Sequence, residues 1–152
     1  MNARRPLARV AAVGALLALS ACEKPAPIVT VVNEGRSVYA EANSWCFEGQ
    51  SGDECAQRSE EPTTLQVRGG TLGIDVDKEL ADGGWLFSIV DDERPEEPLF
   101  TSEVQEENHY YALPGLPTMR RGSSWTLRVQ ALTEDGEPGR GSWEFSLRPR
   151  SA

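Results

Sequence analysis

The only histidine of the chain is the first residue to test for catalysis. His109 lies in the segment Glu106-Glu107-Asn108-His109-Tyr110-Tyr111, and a serine or cysteine nucleophile needs such a base beside it, oriented by a third group. The sequence holds no G-x-S-x-G, H-E-x-x-H or P-loop motif. One histidine without a motif permits such a site but does not indicate one, so we predict that the chain is not an enzyme and has no catalytic residues.

Three acidic residues, Asp75, Asp77 and Glu79, have the alternate spacing of calcium ligands. An EF-hand loop that began at Asp75 would need glycine at its sixth position and glutamate at its twelfth, and these positions hold Leu80 and Leu86. We therefore interpret the aspartates as the solvent face of a strand, and predict neither a metal nor a cofactor. A looser calcium site at one end of a β-sandwich stays an open alternative.

Two segments are candidates for a binding surface. The first is an acidic, proline-broken loop that begins with Asp91-Asp92-Glu93, although charge runs are usually only solvated. The second is the pair Tyr110 and Tyr111, of which one must face outward from a strand, where it could stack on a sugar or peptide as Tyr39 or Trp45 could. The candidate binding surface is therefore Tyr110 with Asp91, Asp92 and Glu93.

The first 21 residues have the organisation of a secretory signal. Three arginines precede an apolar run from Val10 to Leu19, which is half the roughly 20 residues that a membrane-spanning helix needs. A basic segment before a short apolar run is typical of a cleaved signal peptide, so residues 1–21 are excluded from the predicted fold.

The end of this leader, Leu19-Ser20-Ala21-Cys22, resembles the bacterial lipobox. The resemblance implies that Cys22 carries a diacylglyceryl thioether and that the chain is cleaved before it; an ordinary signal peptide with an incidental cysteine is the alternative. Two acyl chains are what stable anchoring requires. We expect residues 22–27 to tether a domain of residues 28–149 to the extracytoplasmic face of the cell membrane.

The charge balance argues against nucleic acid as a partner. The 152-residue chain has 15 Lys and Arg against 24 Asp and Glu, a net charge of −9. Cleavage before Cys22 would remove Arg4, Arg5 and Arg9 but no acid, which leaves −12 on the mature chain. A protein that binds the negatively charged backbone of a nucleic acid needs positive side chains, not an excess of acidic ones.

The remaining cysteines predict one structural disulfide. If Cys22 is lipidated, only Cys46 and Cys55 are left, and they allow a single pairing. An extracytoplasmic compartment is oxidising, so a disulfide can persist there. A metal pair or a redox dithiol would want the closer C-x-x-C spacing and, for a metal, further ligands.

Alternation of apolar with more polar residues predicts the fold class. It is clearest at Leu72, Ile74 and Val76, at Trp85, Phe87 and Ile89, at Trp125, Leu127 and Val129, and at Trp143, Phe145 and Leu147. A period of two means that one face is buried and the other is wet. Seven or eight such short strands predict an all-β, immunoglobulin-like antiparallel β-sandwich with these tryptophans in its core.

Several segments together resemble a family of actinobacterial secreted lipoproteins that carries a domain of unknown function. Besides the lipobox followed by Glu23-Lys24-Pro25, they are Trp45-Cys46-Phe47-Glu48 with Cys55, Gly73-Ile74-Asp75-Val76-Asp77-Lys78, Gly84-Trp85, and Ser102-Glu103-Val104-Gln105 ahead of His109-Tyr110-Tyr111. The resemblance runs over most of residues 19–149. It implies a surface-anchored domain and brings no activity, cofactor or catalytic residue.

The sequence thus predicts a membrane-anchored extracytoplasmic lipoprotein that acts as a non-catalytic binding or envelope-accessory module. Its partners would be membrane lipid, through the diacylglyceryl group, and an unidentified envelope protein or glycan. Two other functions stay open. The first is a carboxylate-based, carbohydrate-active envelope enzyme, although 24 acidic residues form pairs by chance. The second is an inhibitor of secreted proteases.

The anchor can be tested by replacing Cys22 with alanine. We expect the variant to be released into the medium or to stay uncleaved, because lipid attachment and cleavage both depend on this thiol. Cell fractionation followed by intact-mass analysis measures both properties. The control replaces Cys46 and Cys55 together, which should leave membrane retention unchanged, whereas retention of a processed Cys22→Ala form would contradict the anchor.

Overall fold

Alternating apolar residues build two β-sheets that pack face to face. The structure is a computed structural model that describes residues 24–58 and 61–150; Cys22 and the leader lie outside this part of the chain. The described residues form one α-helix, α1 (Lys78–Gly83), and eleven strands. The strands are β1 (Ile28–Asn33), β2 (Arg36–Glu41), β3 (Ser44–Trp45), β4 (Ala56–Gln57), β5 (Thr63–Val67), β6 (Gly70–Val76), β7 (Trp85–Asp91), β8 (Arg94–Thr101), β9 (Tyr110–Leu116), β10 (Trp125–Leu132) and β11 (Pro138–Pro149).

The first sheet has four strands in the order β2-β1-β6-β9, and the second has the order β4-β3-β11-β10-β7-β8. All of these pairs are antiparallel. The exception is β5, which runs parallel to β11 from Phe145 to Pro149. The long strand β11 therefore changes partners along its outer edge, with β3 beside its first half and β5 beside its second.

Strands β5 to β11 have the pairing of an immunoglobulin-like sandwich. Strands β6 and β9 lie side by side in one sheet, while β7, β10 and β11 lie together in the other and β8 extends it, as the B–E and C′–C–F–G strands do in that fold. The predicted all-β, immunoglobulin-like antiparallel sandwich is confirmed. The extra strands are the β1–β2 hairpin and the two-residue strands β3 and β4, which are too short to show a period.

The prolines and acidic residues from Asp91 to Pro98 predicted a loop, and this prediction is wrong. Asp91 ends β7, and Arg94 begins β8, which pairs with β7 through an irregular register. Strand β8 is the last strand of its sheet. Proline lacks an N–H group and is tolerated at such an edge, where half of the backbone groups face away from the sheet.

The core contains the three tryptophans that the alternation placed there. Trp85 and Trp143 are fully buried and Trp125 is nearly so. Both fully buried indoles have hydrogen-bond acceptors: Trp85 Nε1 donates to the carbonyl oxygen of Asn108 at 2.8 Å, and Trp143 Nε1 donates to that of Pro27 at 3.0 Å. These bonds satisfy donors that would be costly to bury without a partner.

The chain enters the sandwich at one end, which we call the proximal end and define by Pro27, Asp77 and Leu132. The Ile28 amide donates to Asp77 Oδ2 at 2.8 Å, immediately before α1. Strands β1, β7 and β11 begin at this end, and β10 ends there. The turns between β1 and β2 and between β7 and β8 therefore lie at the opposite, distal end. In the part of the chain that is described, no helix is long and apolar enough to cross a membrane.

The predicted disulfide is present. Cys46 and Cys55 are joined with an S–S distance of 2.01 Å, one directly after β3 and the other directly before β4. The bond thus closes the loop between two strands that each have only two residues. It holds β4 beside β3, and β3 in turn pairs with the first half of β11.

Replacing Cys46 and Cys55 with serine should lower the free energy of unfolding by about 2–3 kcal/mol, the loop-closure value for a crosslink of this span. Urea denaturation of the wild type and the variant measures the difference. Reductant should destabilise the wild type by a similar amount and leave the variant unchanged. An equal response of both proteins to reductant would show that the disulfide contributes nothing.

Candidate binding face

The outer face of the four-stranded sheet carries the two most exposed aromatic side chains of the described residues, Tyr39 at 66% and Tyr110 at 51%. The strand register places Tyr39 opposite Thr30, Thr30 opposite Asp75, and Asp75 opposite Tyr110. These four residues, which we call the tyrosine row, cross all four strands. Neighbouring strands are about 4.8 Å apart, so the backbones that carry the tyrosines lie about 14 Å from each other.

Tyr110 can lie against the sheet because the residue beneath it, Gly73, has no side chain. A Cβ atom at Gly73 would lie 2.2 Å from Tyr110 Oη and 2.9 Å from its Cζ. Gly73 is outward-facing on β6, opposite Ala112, yet it is buried, because the phenol end of Tyr110 occupies the space above it. This glycine therefore gives the exposed ring a defined position.

The backbone of Tyr110 is fixed from the core. Trp85 Nε1 donates to the Asn108 carbonyl oxygen at 2.8 Å, and Asn108 Oδ1 accepts from the Tyr110 amide at 3.2 Å. The Asn108 side-chain amide also donates to Gln105 Oε1 at 2.9 Å. A buried indole thus sets the start of β9, which carries Tyr110 to the end of the row.

The row combines two kinds of contact surface. Each tyrosine offers an apolar ring with a polar hydroxyl group, and between them Thr30 and Asp75 offer a hydroxyl group and a carboxylate. A ligand with apolar C–H surfaces and many hydroxyl groups could use both kinds of contact. The row itself contains no cation, so it does not favour an anionic ligand.

In the acidic turn between β7 and β8, at the distal end, two of the three predicted acidic residues accept hydrogen bonds from within the domain. Asp91 Oδ1 accepts from the Glu93 amide at 3.0 Å, and Asp91 Oδ2 from Arg94 Nη2 at 3.1 Å. These bonds, first the one from the Glu93 amide, hold the pKa of Asp91 below its usual value. Asp92 accepts from Thr126 Oγ1 at 2.7 Å and also from the Ser124 hydroxyl. Of the three predicted residues, Asp92 and Glu93 are exposed, and Asp91 and Asp92 are the two whose carboxylates accept these hydrogen bonds.

His109 and the acidic residues of the calcium test occupy separate positions. The His109 carbonyl oxygen accepts from the Val76 amide at 2.9 Å, and its side chain is exposed. Asp75 belongs to the tyrosine row, Asp77 binds the Ile28 amide, and Glu79 pairs with Arg140 at 2.8 Å. Among the residues described, no three of the His, Cys, Asp and Glu side chains converge on a point that could hold a metal.

A groove of about 530 Å³ opens at the proximal end, and we call it the proximal groove. Its apolar wall is formed by Ala26, Ile28, Ala42, Trp45, Phe47 and Ala56. Charged side chains, including Lys24, Glu41 and Arg58, lie at its rim. Trp45 is therefore a buried wall of this groove and not an exposed stacking residue. A smaller apolar cavity of about 360 Å³ lies between the edges of β8 and β9.

Sequence reasoning identified Tyr110 but missed the role of Gly73 and the proximal groove. A glycine at an outward position of a strand is the one signal that could have indicated a side chain lying across it. The groove had no such signal, because its wall comes from the tether, β1, β3, β4 and the segments that flank β3, and no local pattern shows that these lie together.

No family model matches the sequence, and no curated protein matches it. Among solved structures, the chain is similar to the extracellular domain of BT4673 from B. thetaiotaomicron, with a TM-score of 0.48 and 6% identity over 84% of this chain and 16% of that one. It is also similar to CopC from Methylosinus trichosporium OB3b, with a TM-score of 0.37 and 15% identity over 61% of this chain and 89% of that one. The function of the chain is therefore inferred from its own residues.

The two glycines that lie beneath aromatic rings give a matched pair of substitutions. Gly73→Ala should change the free energy of unfolding by about 1 kcal/mol or less, because the exposed Tyr110 can rotate away. Gly141→Ala should cost about 1–3 kcal/mol, because its Cβ would lie 2.5 Å from Cε3 of Trp45, which is buried. Denaturation and a crystal structure of each variant measure these effects. Equal costs, or an unmoved Tyr110 in Gly73→Ala, would contradict this account.

Proposed function

We propose that this protein is an extracytoplasmic lipoprotein, anchored through Cys22, that binds an envelope polysaccharide on its tyrosine row without transforming it. The single observation that carries the proposal is the row itself: two exposed tyrosines on one sheet face, with Thr30 and Asp75 between them.

The anchor is supported by the leader sequence and by the position of the chain entry. Only Glu23 lies between Cys22, the last residue of the lipobox, and Lys24. The chain joins the sandwich at the proximal end, where Trp143 Nε1 donates a hydrogen bond to the Pro27 carbonyl oxygen. The disulfide between Cys46 and Cys55 fits an oxidising compartment outside the cytoplasm.

A neutral polysaccharide is favoured over a protein partner by the composition of the row. Stable protein interfaces have a buried core of large apolar or aromatic anchors, from which charged residues are depleted. Here the two aromatic residues are separated by a hydroxyl group and a carboxylate across two strands. A carboxylate can accept hydrogen bonds from sugar hydroxyl groups without needing a cation.

Tyr39→Ala and Tyr110→Ala should each weaken binding of the full mature protein to purified cell-wall polysaccharide about tenfold or more, as truncation of an aromatic anchor does. Affinity electrophoresis or calorimetry measures the change. Leu99→Ala is the matched control, because Leu99 is 46% exposed but lies on β8 of the other sheet.

Equal binding by the two tyrosine variants and the wild type would remove the row as a binding site. Retention of an envelope protein, but of no polysaccharide, on the wild type and not on the Tyr110 variant would assign the row to a protein partner instead. Either result leaves the lipid anchor to be judged by the Cys22 test.

A further inference from the structure

The proximal groove contains a buried donor that has no acceptor among the described residues. Trp45 is 1% exposed and lines the groove, and its Nε1 has no hydrogen-bond partner. The other two fully buried tryptophans donate to the carbonyl oxygens of Asn108 and Pro27. Since a buried N–H group without an acceptor is rare and costly, the groove is a place where an acceptor from outside the described chain would bind.

The orientation of the Trp45 ring turns this donor away from β11. The Cε3–Cζ3 edge of the indole lies over Gly141, where a Cβ would meet those atoms at 2.5 and 3.0 Å. The guanidinium of Arg140 lies over the ring, 4.6 Å from its centroid. Nε1 is on the opposite long edge of the indole, and it is buried.

The rim charges of the groove are already paired within the domain. Lys24 Nζ lies 2.5 Å from Glu79 Oε2, and Arg58 forms an ion pair with Glu41. The wall below them is apolar, with Ala42 and Phe47 beside Trp45. This combination of an apolar wall, one N–H donor and neutralised rim charges fits an ester with hydrocarbon chains better than a charged phosphate group.

The beginning of the described chain lies at the groove, since Lys24, Pro25 and Ala26 all line it. Cys22 precedes Lys24 by two residues, so their Cα atoms are at most about 7 Å apart. A diacylglyceryl group on the Cys22 sulfur would therefore begin within reach of the groove.

We propose that the proximal groove receives the glyceryl ester part of the lipid on Cys22, with an ester carbonyl oxygen accepting a hydrogen bond from Trp45 Nε1. The first methylene groups of the acyl chain then contact Ala42, Phe47 and Ala56. This inference rests on the proposed lipidation of Cys22. If the groove binds the lipid on Cys22, the domain is held in one orientation on the membrane instead of moving freely at the end of a flexible tether.

The test uses the lipidated mature protein in detergent micelles, labelled with ¹⁵N, before and after a lipase has hydrolysed the glyceryl esters. The Trp45 Nε1–H resonance, assigned with Trp45→Phe, should shift when the acyl chains are removed. The resonances of Trp85 and Trp143 should not move, because their acceptors are backbone carbonyl groups.

Two variants separate groove occupancy from a general effect of deacylation. Ala56→Phe puts an aromatic ring into the groove at an exposed position and should abolish the shift at Trp45. Thr64→Phe places the same ring at an exposed position of β5, which does not line the groove, and should preserve the shift.

An unchanged Trp45 resonance on protein whose intact mass includes the lipid would overturn this inference and leave the anchor standing. A mature protein without lipid on Cys22 would overturn both. Recovery of the original resonance when phosphatidylglycerol is added to the deacylated protein would show that the groove takes lipid from the bilayer, which also overturns the assignment to the anchor.

Discussion

The hydrogen bond from Trp143 Nε1 to the Pro27 carbonyl oxygen fixes the place where the chain enters the sandwich. A buried hydrogen bond adds only about 1 kcal/mol net, but loss of its acceptor would leave a buried donor unsatisfied at a cost of about 1–3 kcal/mol. The same indole packs against Trp45, with ring centroids 5.7 Å apart. One residue of β11 thus positions both the end of the tether and the wall of the proximal groove.

Two glycines, one in each sheet, make room for an aromatic ring, but one ring is exposed and the other is buried. The missing side chain of Gly73 lets an exposed ring, Tyr110, lie against the outer face of a sheet. The missing side chain of Gly141 lets a buried ring, Trp45, lie against β11 where β3 joins it. In the first case the glycine organises a surface, and in the second it allows close packing of the core.

The sequence predicted those features that depend on local periodicity. Alternation through β6, β7, β10 and β11 identified the sheets, because burial of one face leaves a pattern of period two. It could not identify β8, whose residues are almost all exposed and therefore have no pattern. It also could not find β3 and β4, which have two residues each and are defined by long-range pairing, β3 with β11 and β4 with β3 next to the disulfide.

The binding face shows the same limit. The adjacency of Tyr110 and Tyr111 predicted that one of them faces outward, since neighbouring strand residues alternate. The structure places Tyr110 outward, and Tyr111 packs at 5.1 Å against Phe87 of the core. That Tyr39 belongs to the same row depends on the register of three strand pairs, which is a long-range property that no local pattern contains.

The positions of the row and the groove connect the two proposals. Ile28 and Glu41, which line the groove, are paired with each other and face the same side of the sheet as Thr30 and Tyr39, two residues further along. Two strand residues span about 7 Å, so the row lies close to the proximal end of the domain. The row also runs across the strands. If the groove seats the anchor, a polysaccharide bound along the row extends roughly parallel to the membrane and only a short distance above it. An acidic domain of this kind, repelled by anionic lipid headgroups, then holds its ligand in the layer between the bilayer and the distal turns.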